Sequence, residues 1–440
     1  MNQLFKDEMK KLLKDEYNDF MNALKKPPIK AFYMNPLKKD ALQYLNKDYI
    51  QPHPIIKDGY YFDYQNYPLG KSPFFSCGLY YIQEPSAMLV NHFLDIKEDD
   101  YILDMCGAPG GKSCAAASRL GPQGLMITND INTLRAKILS ENIERFGLKN
   151  TIVTNSDPVQ LINILPEFFD KIILDAPCSG EGMFRKDEQA IQSWSLQKIQ
   201  ECAHIQRQLI DCAMKLLKPG GILMYSTCTY NTQENEDQVR YILNHYDCRL
   251  IPLKRSHGMA NGIQLDGVIR LYPHRYQGEG QFIACIQKNG QPSFQKYKPM
   301  KAQIAKSNQK LVNDFYHTYL NIPAPDYLYD NHNHIYALMP QFPELKGMRV
   351  LRNGLYLGEC KKNRFEPSLA LALTLKQNEV KQFYRFHEND LAISKYLHGE
   401  AIEGTNQKGY GIIFVEDYPL SFYKESQGMA KNLYPKGLRR

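Results

Sequence analysis

Two cysteines stand where short apolar runs give way to polar residues. Asp175-Ala-Pro-Cys178 follows the run Lys171 to Leu174, and Ser226-Thr-Cys228 follows Ile222 to Tyr225. A thiol in a polar, partly exposed setting can ionise, and a thiolate is a good nucleophile toward electron-poor carbon. A cysteine taken alone is more often a small buried hydrophobe. A pair facing one cleft could also be a redox dithiol, although that chemistry usually comes as a close CxxC pair. Three carboxylates accompany the thiols. Asp130, Asp157 and Asp175 close the runs Leu125 to Thr128, Thr151 to Thr154 and Lys171 to Leu174. One such acid is usually a helix cap or loop residue; three in register at strand ends favour a nucleoside site, where a carboxylate accepts from ribose hydroxyls.

These residues need strands that end together, and the chain from Tyr101 to Ile286 supplies them. Tyr101 to Met105 reads as a buried parallel strand that breaks into Cys106-Gly-Ala-Pro-Gly-Gly-Lys112. Glycines there let backbone approach a ligand closely. Lys112 begins a small-residue helix to Leu120, or adds a positive contact in the cleft. Helices over Leu134 to Phe146 and Leu196 to Leu217 alternate with the strands. Strand, glycine turn and helix, repeated, predict a doubly wound α/β core whose site lies at the carboxyl edge of the sheet. On that topology Cys178 and Cys228 face one cleft from adjacent strands.

The flanks are less eventful. Phe5 to Leu24 carries apolar residues near helical spacing and predicts one amphipathic helix, followed by a short strand at Ala31 to Met34. Residues 289 to 312 are polar and Lys/Gln-rich and read as a connection. Beyond Gly347 come strand-like runs at Met348 to Leu351, Leu355 to Leu357 and Gly411 to Val415. Helices are expected at Leu369 to Leu375 and Asp390 to Leu397. The 440 residues are 43% hydrophobic and 23% charged, with a net charge of +7, which is compatible with a polyanionic partner. No apolar stretch reaches the roughly 18 residues of a membrane span. The charged stretch Met1 to Lys14 lacks the apolar run of a secretory signal. The ten cysteines form no CxxC pair, so neither a metal site nor a disulfide framework is expected, and the reducing cytoplasm is the expected compartment.

Four blocks in order are more specific. Asp104-Met-Cys-Gly-Ala-Pro-Gly-Gly-Lys112, Asp175-Ala-Pro-Cys-Ser-Gly-Glu-Gly-Met183 and Tyr225-Ser-Thr-Cys-Thr229 resemble the signatures of S-adenosylmethionine-dependent RNA (cytosine-5) methyltransferases. Arg270-Leu-Tyr-Pro-His274 with Gly278-Glu-Gly-Gln-Phe282 resembles their closing block. The C-terminal portion is similar to the PUA-like RNA-binding domain of the RsmF-type ribosomal RNA branch, through Gly354 to Glu359, Lys361 to Pro367, Tyr396 to Glu400 and Ala430 to Arg439. It departs from that pattern at Ser421-Phe-Tyr423, where a Gly-rich turn is usual, and Phe32 to Asn35 lacks the usual arginine.

The resemblance implies a Rossmann-like class I methyltransferase core with a mostly parallel seven-stranded sheet. It divides the chain into an N-terminal substrate-contacting module (1–75), the core (76–288), a linker and connecting segment (289–345) and a PUA-like domain (346–440). By resemblance Cys228 attacks C6 of cytosine, Asp175 holds the base near N3, and Cys178 helps release the product. Cys106, Gly107, Ala108, Pro109, Gly110, Gly111 and Lys112 would hold the methionine moiety of S-adenosylmethionine, Asp130 the ribose and Asp157 the adenine amino group, with Asp175 also near. Lys361, Lys362, Arg364, Lys431, Lys436, Arg439 and Arg440 would contact RNA phosphates. The expected protein is a monomeric cytoplasmic enzyme acting on small-subunit ribosomal RNA. Transfer RNA is the alternative substrate, and a non-catalytic RNA-binding assembly factor the alternative of another class.

Overall fold

The computed structural model describes residues 2–291 and 296–439. Of the connection expected over 289–312, residues 292–295 lie outside the described residues, as does Arg440 among the expected phosphate contacts.

The centre of the molecule is a sheet of ten strands. In chain order these are β1 (Tyr101–Asp104), β2 (Leu125–Asn129), β3 (Thr151–Thr154), β4 (Phe169–Asp175), β5 (Leu217–Thr227), β6 (Cys248–Ile251), β7 (Ala260–Gly262), β8 (Leu265–Leu271), β9 (Gln281–Lys288) and β10 (Val350–Asn353). The order across the sheet is β7-β8-β9-β5-β4-β1-β2-β3-β10, with β6 paired to β9. The five strands β3 to β5 through β2, β1 and β4 are parallel, and their carboxyl ends share one edge. They are buried on both faces, so their runs are continuously apolar rather than alternating. Helices Gly111–Ala117, Thr133–Arg145 and Leu196–Leu216 cross over between them. Order reverses at β1, which puts the crevice beyond β1 and β4.

Three expectations are corrected. The sheet has ten strands rather than seven: β6 and β7 extend one side, and β10, from beyond the core, closes the other by pairing antiparallel with β3. The strand expected at Ile222 to Tyr225 runs from Leu217 to Thr227, because Lys218 to Gly221 bulge out between the pairs Leu217–Phe169 and Ile222–Lys171 and pairing with β4 resumes beyond them. The single N-terminal helix is two, Gln3–Leu13 and Tyr17–Ala23, broken where Lys14 takes φ +49°. Its apolar face does pack on the core: Phe5 and Phe20 meet Phe184, Trp194 and Tyr230.

The division expected at 345/346 runs through continuous structure. Strands Leu328–Asn331, His334–Ala337, Leu355–Lys361 and Arg364–Pro367 form one sheet across it, and Leu338, Phe342 and Leu345 pack among the core's apolar residues. A five-stranded sheet follows, built from Phe383–Phe386 to Met429–Asn432. It shares a hydrophobic cluster with the N-terminal module, in which Phe74, Leu79 and Tyr80 pack with Tyr396, Ile413 and Leu420. Tyr44 and Ser72 donate across that contact to Asp417 (2.5 Å) and Glu388 (2.8 Å). Among the described residues no helix is long and apolar enough to cross a membrane.

Candidate active site

A cleft of about 800 Å³ opens at the carboxyl ends of β1 to β5. Cys106, Asp130, Asp157, Asp175, Cys178 and Cys228 all line it. Of the glycine turn only Cys106 reaches the lining; Gly107 to Lys112 form the wall behind it. The turn is built for close packing. A Cβ on Gly107 would stand 2.1 Å from Thr128 Oγ1, and Gly110 takes φ +117° at the start of the helix. Arg135 donates to Ala108 O (2.8 Å) and Asn142 to Pro109 O (2.8 Å), while Tyr33, from the N-terminal module, donates to Gly111 O (2.7 Å). The turn is therefore held by the helix Thr133–Arg145 on one side and by the N-terminal module on the other.

Asp130 is buried, accepts from Asn132 N (2.9 Å) and lies 3.4 Å from the Arg135 guanidinium. Asp157 is exposed and accepts from Val159 N (3.0 Å). Exposed Ile131 and Val159 flank these two acids on the cleft lining. Two carboxylate acceptors flanked by apolar side chains can take hydroxyl and amine donors of a small ligand.

The two thiols converge. Cys178 Sγ and Cys228 Sγ are 3.3 Å apart, both free and both half-buried. The hydrogen bond with Cys228, together with burial, pushes the Cys178 thiol well above its ordinary range, so Cys178 stays protonated beside its partner. Asp175 stands next to them, fixed by three donors. Lys112 Nζ reaches Oδ2 (2.8 Å), while Ser226 Oγ (2.6 Å) and Gln281 Nε2 (3.2 Å) reach Oδ1. Burial alone would lower the Lys112 ammonium, but the carboxylates of Asp175 and Asp104 hold it above its usual range and charged. Burial likewise pushes the Cys106 thiol up, which suits a wall residue rather than a nucleophile.

Beneath the thiols lies a polar network that sequence reasoning did not single out. Glu181 accepts from Thr229 Oγ1 (2.6 Å), Tyr230 N (2.7 Å), Asn231 N (3.0 Å) and Trp194 Nε1 (2.9 Å). Glu234 accepts from Ser179 N (2.9 Å), Gln206 Nε2 (2.9 Å) and Asn231 Nδ2 (2.7 Å). Each acid ties the loop after Cys178 to the loop after Cys228. The available signal was their position, three and six residues past the two cysteines, in segments otherwise rich in small polar residues. Asp104 was also passed over. It is fully buried, accepts from Ser113 Oγ (2.7 Å) and leaves Oδ1 without a partner; burial raises its carboxyl to about 7. On the C-terminal surface, Lys361 pairs with Glu359 and Arg364 with Glu366, and Arg439 donates to Tyr434 O (3.1 Å).

Comparisons with known proteins agree along the chain. Family models match residues 1–85 (N-terminal domain of 16S rRNA methyltransferase RsmF) and 91–287 (16S rRNA methyltransferase RsmB/F). Two more match 314–375 (RsmF rRNA methyltransferase first C-terminal domain) and 383–440 (methyltransferase RsmF PUA domain). The ribosomal RNA small subunit methyltransferase F of Vibrio vulnificus (strain YJ016) is 32% identical, over 94% of this chain and 92% of its own. That of Klebsiella pneumoniae (strain 342) is 30% identical, over 96% and 93%. Among solved structures, a methyltransferase homologue from Pyrococcus horikoshii is 31% identical with a TM-score of 0.57, covering 66% of this chain and 95% of that one. The NSun6 structure from the same organism shares the fold at 24% identity and a TM-score of 0.59, covering 66% and 99%.

Proposed function

The chain belongs to the ribosomal RNA small subunit methyltransferase F family, and from that footing we propose that it methylates C5 of a cytidine in small-subunit ribosomal RNA, with S-adenosylmethionine as donor. The observation that carries the reading is the pair of thiols 3.3 Å apart beside a carboxylate fixed by three donors.

The donor fits the cleft in the chemistry of its walls. The turn 106–112 would hold the methionine portion, Asp130 the ribose hydroxyls and Asp157 the adenine amine. When bound, S-adenosylmethionine supplies an electrophilic methyl group. The protein's own task is to make C5 nucleophilic, because the cytosine ring is too electron-poor there to react unaided. The Cys228 thiolate adds to C6, forming the S–C6 bond and pushing the C5=C6 electrons toward N3. Asp175, held in place by Lys112, Ser226 and Gln281, passes a proton from the Lys112 ammonium to N3 as the charge develops there and returns it when the ring is restored. C5 is then enamine-like and takes the methyl group. Once Cys228 is bonded to C6, the hydrogen bond that kept Cys178 protonated is gone. Cys178 releases its proton to water and, as thiolate, takes the C5 proton; the C5=C6 bond reforms as N3 gives its proton back, and the S–C6 bond breaks, returning Cys228 as thiolate. The basic C-terminal surface and its PUA-like sheet would hold the RNA, in a cytoplasmic setting.

Two variants test this. Cys228→Ala is expected to abolish tritium transfer from labelled donor to RNA while donor affinity by calorimetry stays near wild type. Cys178→Ala is expected to accumulate a covalent protein–RNA adduct, seen as a slow band on denaturing gels. Full transfer by Cys228→Ala removes the nucleophile assignment. Bisulfite sequencing of ribosomal and transfer RNA from a strain lacking the protein identifies the substrate, and no lost methylation anywhere would return the chain to a binding role.

A further inference from the structure

Gln281 contacts the acid from the strand that runs beside the nucleophile's, and the chemistry above uses only half of it. It opens β9, whose last register pair with β5 is Phe282 with Thr227. One step further in the same register sets Gln281 against Cys228. The residues that follow it, Phe282, Ile283 and Ala284, are apolar and fully buried, yet this position carries an amide that is 3% exposed. Its Nε2 donates to Asp175 Oδ1 at 3.2 Å. Ser226 and Lys112 already hold that carboxylate at 2.6 and 2.8 Å, so a third donor is more than positioning requires.

The contact does, however, fix which end of the amide faces which way. A carboxylate oxygen takes the NH2 end, because the carbonyl end would set oxygen against oxygen. The Oε1 end is thereby left over. It accepts from no group among the described residues and is not among the sealed polar atoms, so it keeps a free acceptor lone pair. An acceptor of fixed orientation beside the attacking thiol complements an amine.

We propose that Gln281 is a specificity-determining residue that reads the exocyclic amine of the target base. With Nε2 on Asp175, Oε1 accepts from the amine at C4 of an aminopyrimidine. The same oxygen meets the O4 of an oxopyrimidine acceptor to acceptor and turns it away. The proposal rests on the cytidine reading above.

The test separates the contact from general damage. Once the methylated position is mapped, RNA is prepared with cytidine at that position, or with the 2-pyrimidinone ribonucleoside, which lacks only the C4 amine. Wild type, Gln281→Leu and Gln281→Met are compared on both by kcat/KM for covalent addition. With cytidine the wild type should exceed each variant on the order of tenfold, the usual scale for an unpaired buried hydrogen-bonding group. With 2-pyrimidinone the ratio should shrink to the smaller loss that comes from the Nε2 bond to Asp175 alone. Donor affinity reports that each variant is folded; should Leu fail, the isosteric Met decides. An equal loss on both bases overturns the proposal and leaves Gln281 a support for Asp175. Wild type that does not add to cytidine at all overturns this proposal together with the reading beneath it, and the two failures are distinguishable by that control.

Discussion

Asp104 shows how far a single residue can depart from its solution chemistry. Its carboxyl ordinarily titrates near 3.8, but burial raises it to about 7 in the folded chain. Between those values the folded protein keeps a proton that the unfolded chain has released. This stabilisation is fully present below about 4 and is lost as pH rises through about 7. Asp104→Asn removes the titration, so its stability relative to wild type should rise from pH 4 to 7 and level off above. Urea midpoints across that range check it, and a constant difference would rule it out. The residue types of the site were legible: the three acids, both thiols and Cys106 of the glycine turn line one cleft. What could not be read was convergence. Ser226 and Gln281 meet on Asp175 only because antiparallel β9 lies beside β5, and no local periodicity encodes which strand pairs with which.

At the scale of elements, the two loops carrying the thiols are tied together by two buried acids, of which Glu181 accepts from the indole of Trp194. Replacing Glu181 by Ala strips the acceptor from two backbone amides, a hydroxyl and the indole of Trp194. Each buried donor left unpaired costs about 1–3 kcal/mol, so a loss of at least about 3 kcal/mol is expected. Trp194 is the chain's single tryptophan, so its fluorescence in urea follows the loss directly. Glu181→Gln keeps an acceptor and should recover part of the stability; equal behaviour of Ala and Gln would mean that the network does not hold the loops. The parallel strands were legible because burial on both faces leaves uninterrupted apolar runs. The N-terminal break at Lys14 was not, since Lys14-Asp-Glu16 suits a helix as well as a kink. The full length of β5 was hidden by Pro219-Gly220-Gly221, residues that usually mark a turn.

For the whole molecule, the C-terminal sheet is part of the body. It buries apolar side chains jointly with the N-terminal module and hydrogen-bonds to it at Tyr44, Ser72 and Lys39, whose carbonyl accepts from Tyr418 (2.5 Å). Removing residues 383–440 should therefore lower the thermal midpoint of what remains, because Phe74, Leu79 and Tyr80 lose their cover. Calorimetry on the shortened protein checks this, and an unchanged midpoint would make the domain a tethered bead. A sheet anchored in this way would present the proposed RNA contacts at fixed distances from the cleft, which no flexible linker would do.

The closing of the core sheet by Val350–Asn353 also sets a timetable for the chain as it leaves the ribosome. The edge Thr151–Thr154 is made early, but the strand that covers it comes about 200 residues later, which at about 5–20 residues per second is roughly 10–40 s of synthesis. Throughout that interval the edge strand Thr151-Ile-Val-Thr154, buried in the finished protein, waits without a neighbour, a condition under which nascent chains pair with one another. A protein of this architecture should therefore depend on slow, spaced translation or on holding factors until residue 353 has emerged. Chains arrested at 345 should aggregate where chains arrested past 353, with enough extra length to clear the exit tunnel, stay dispersed.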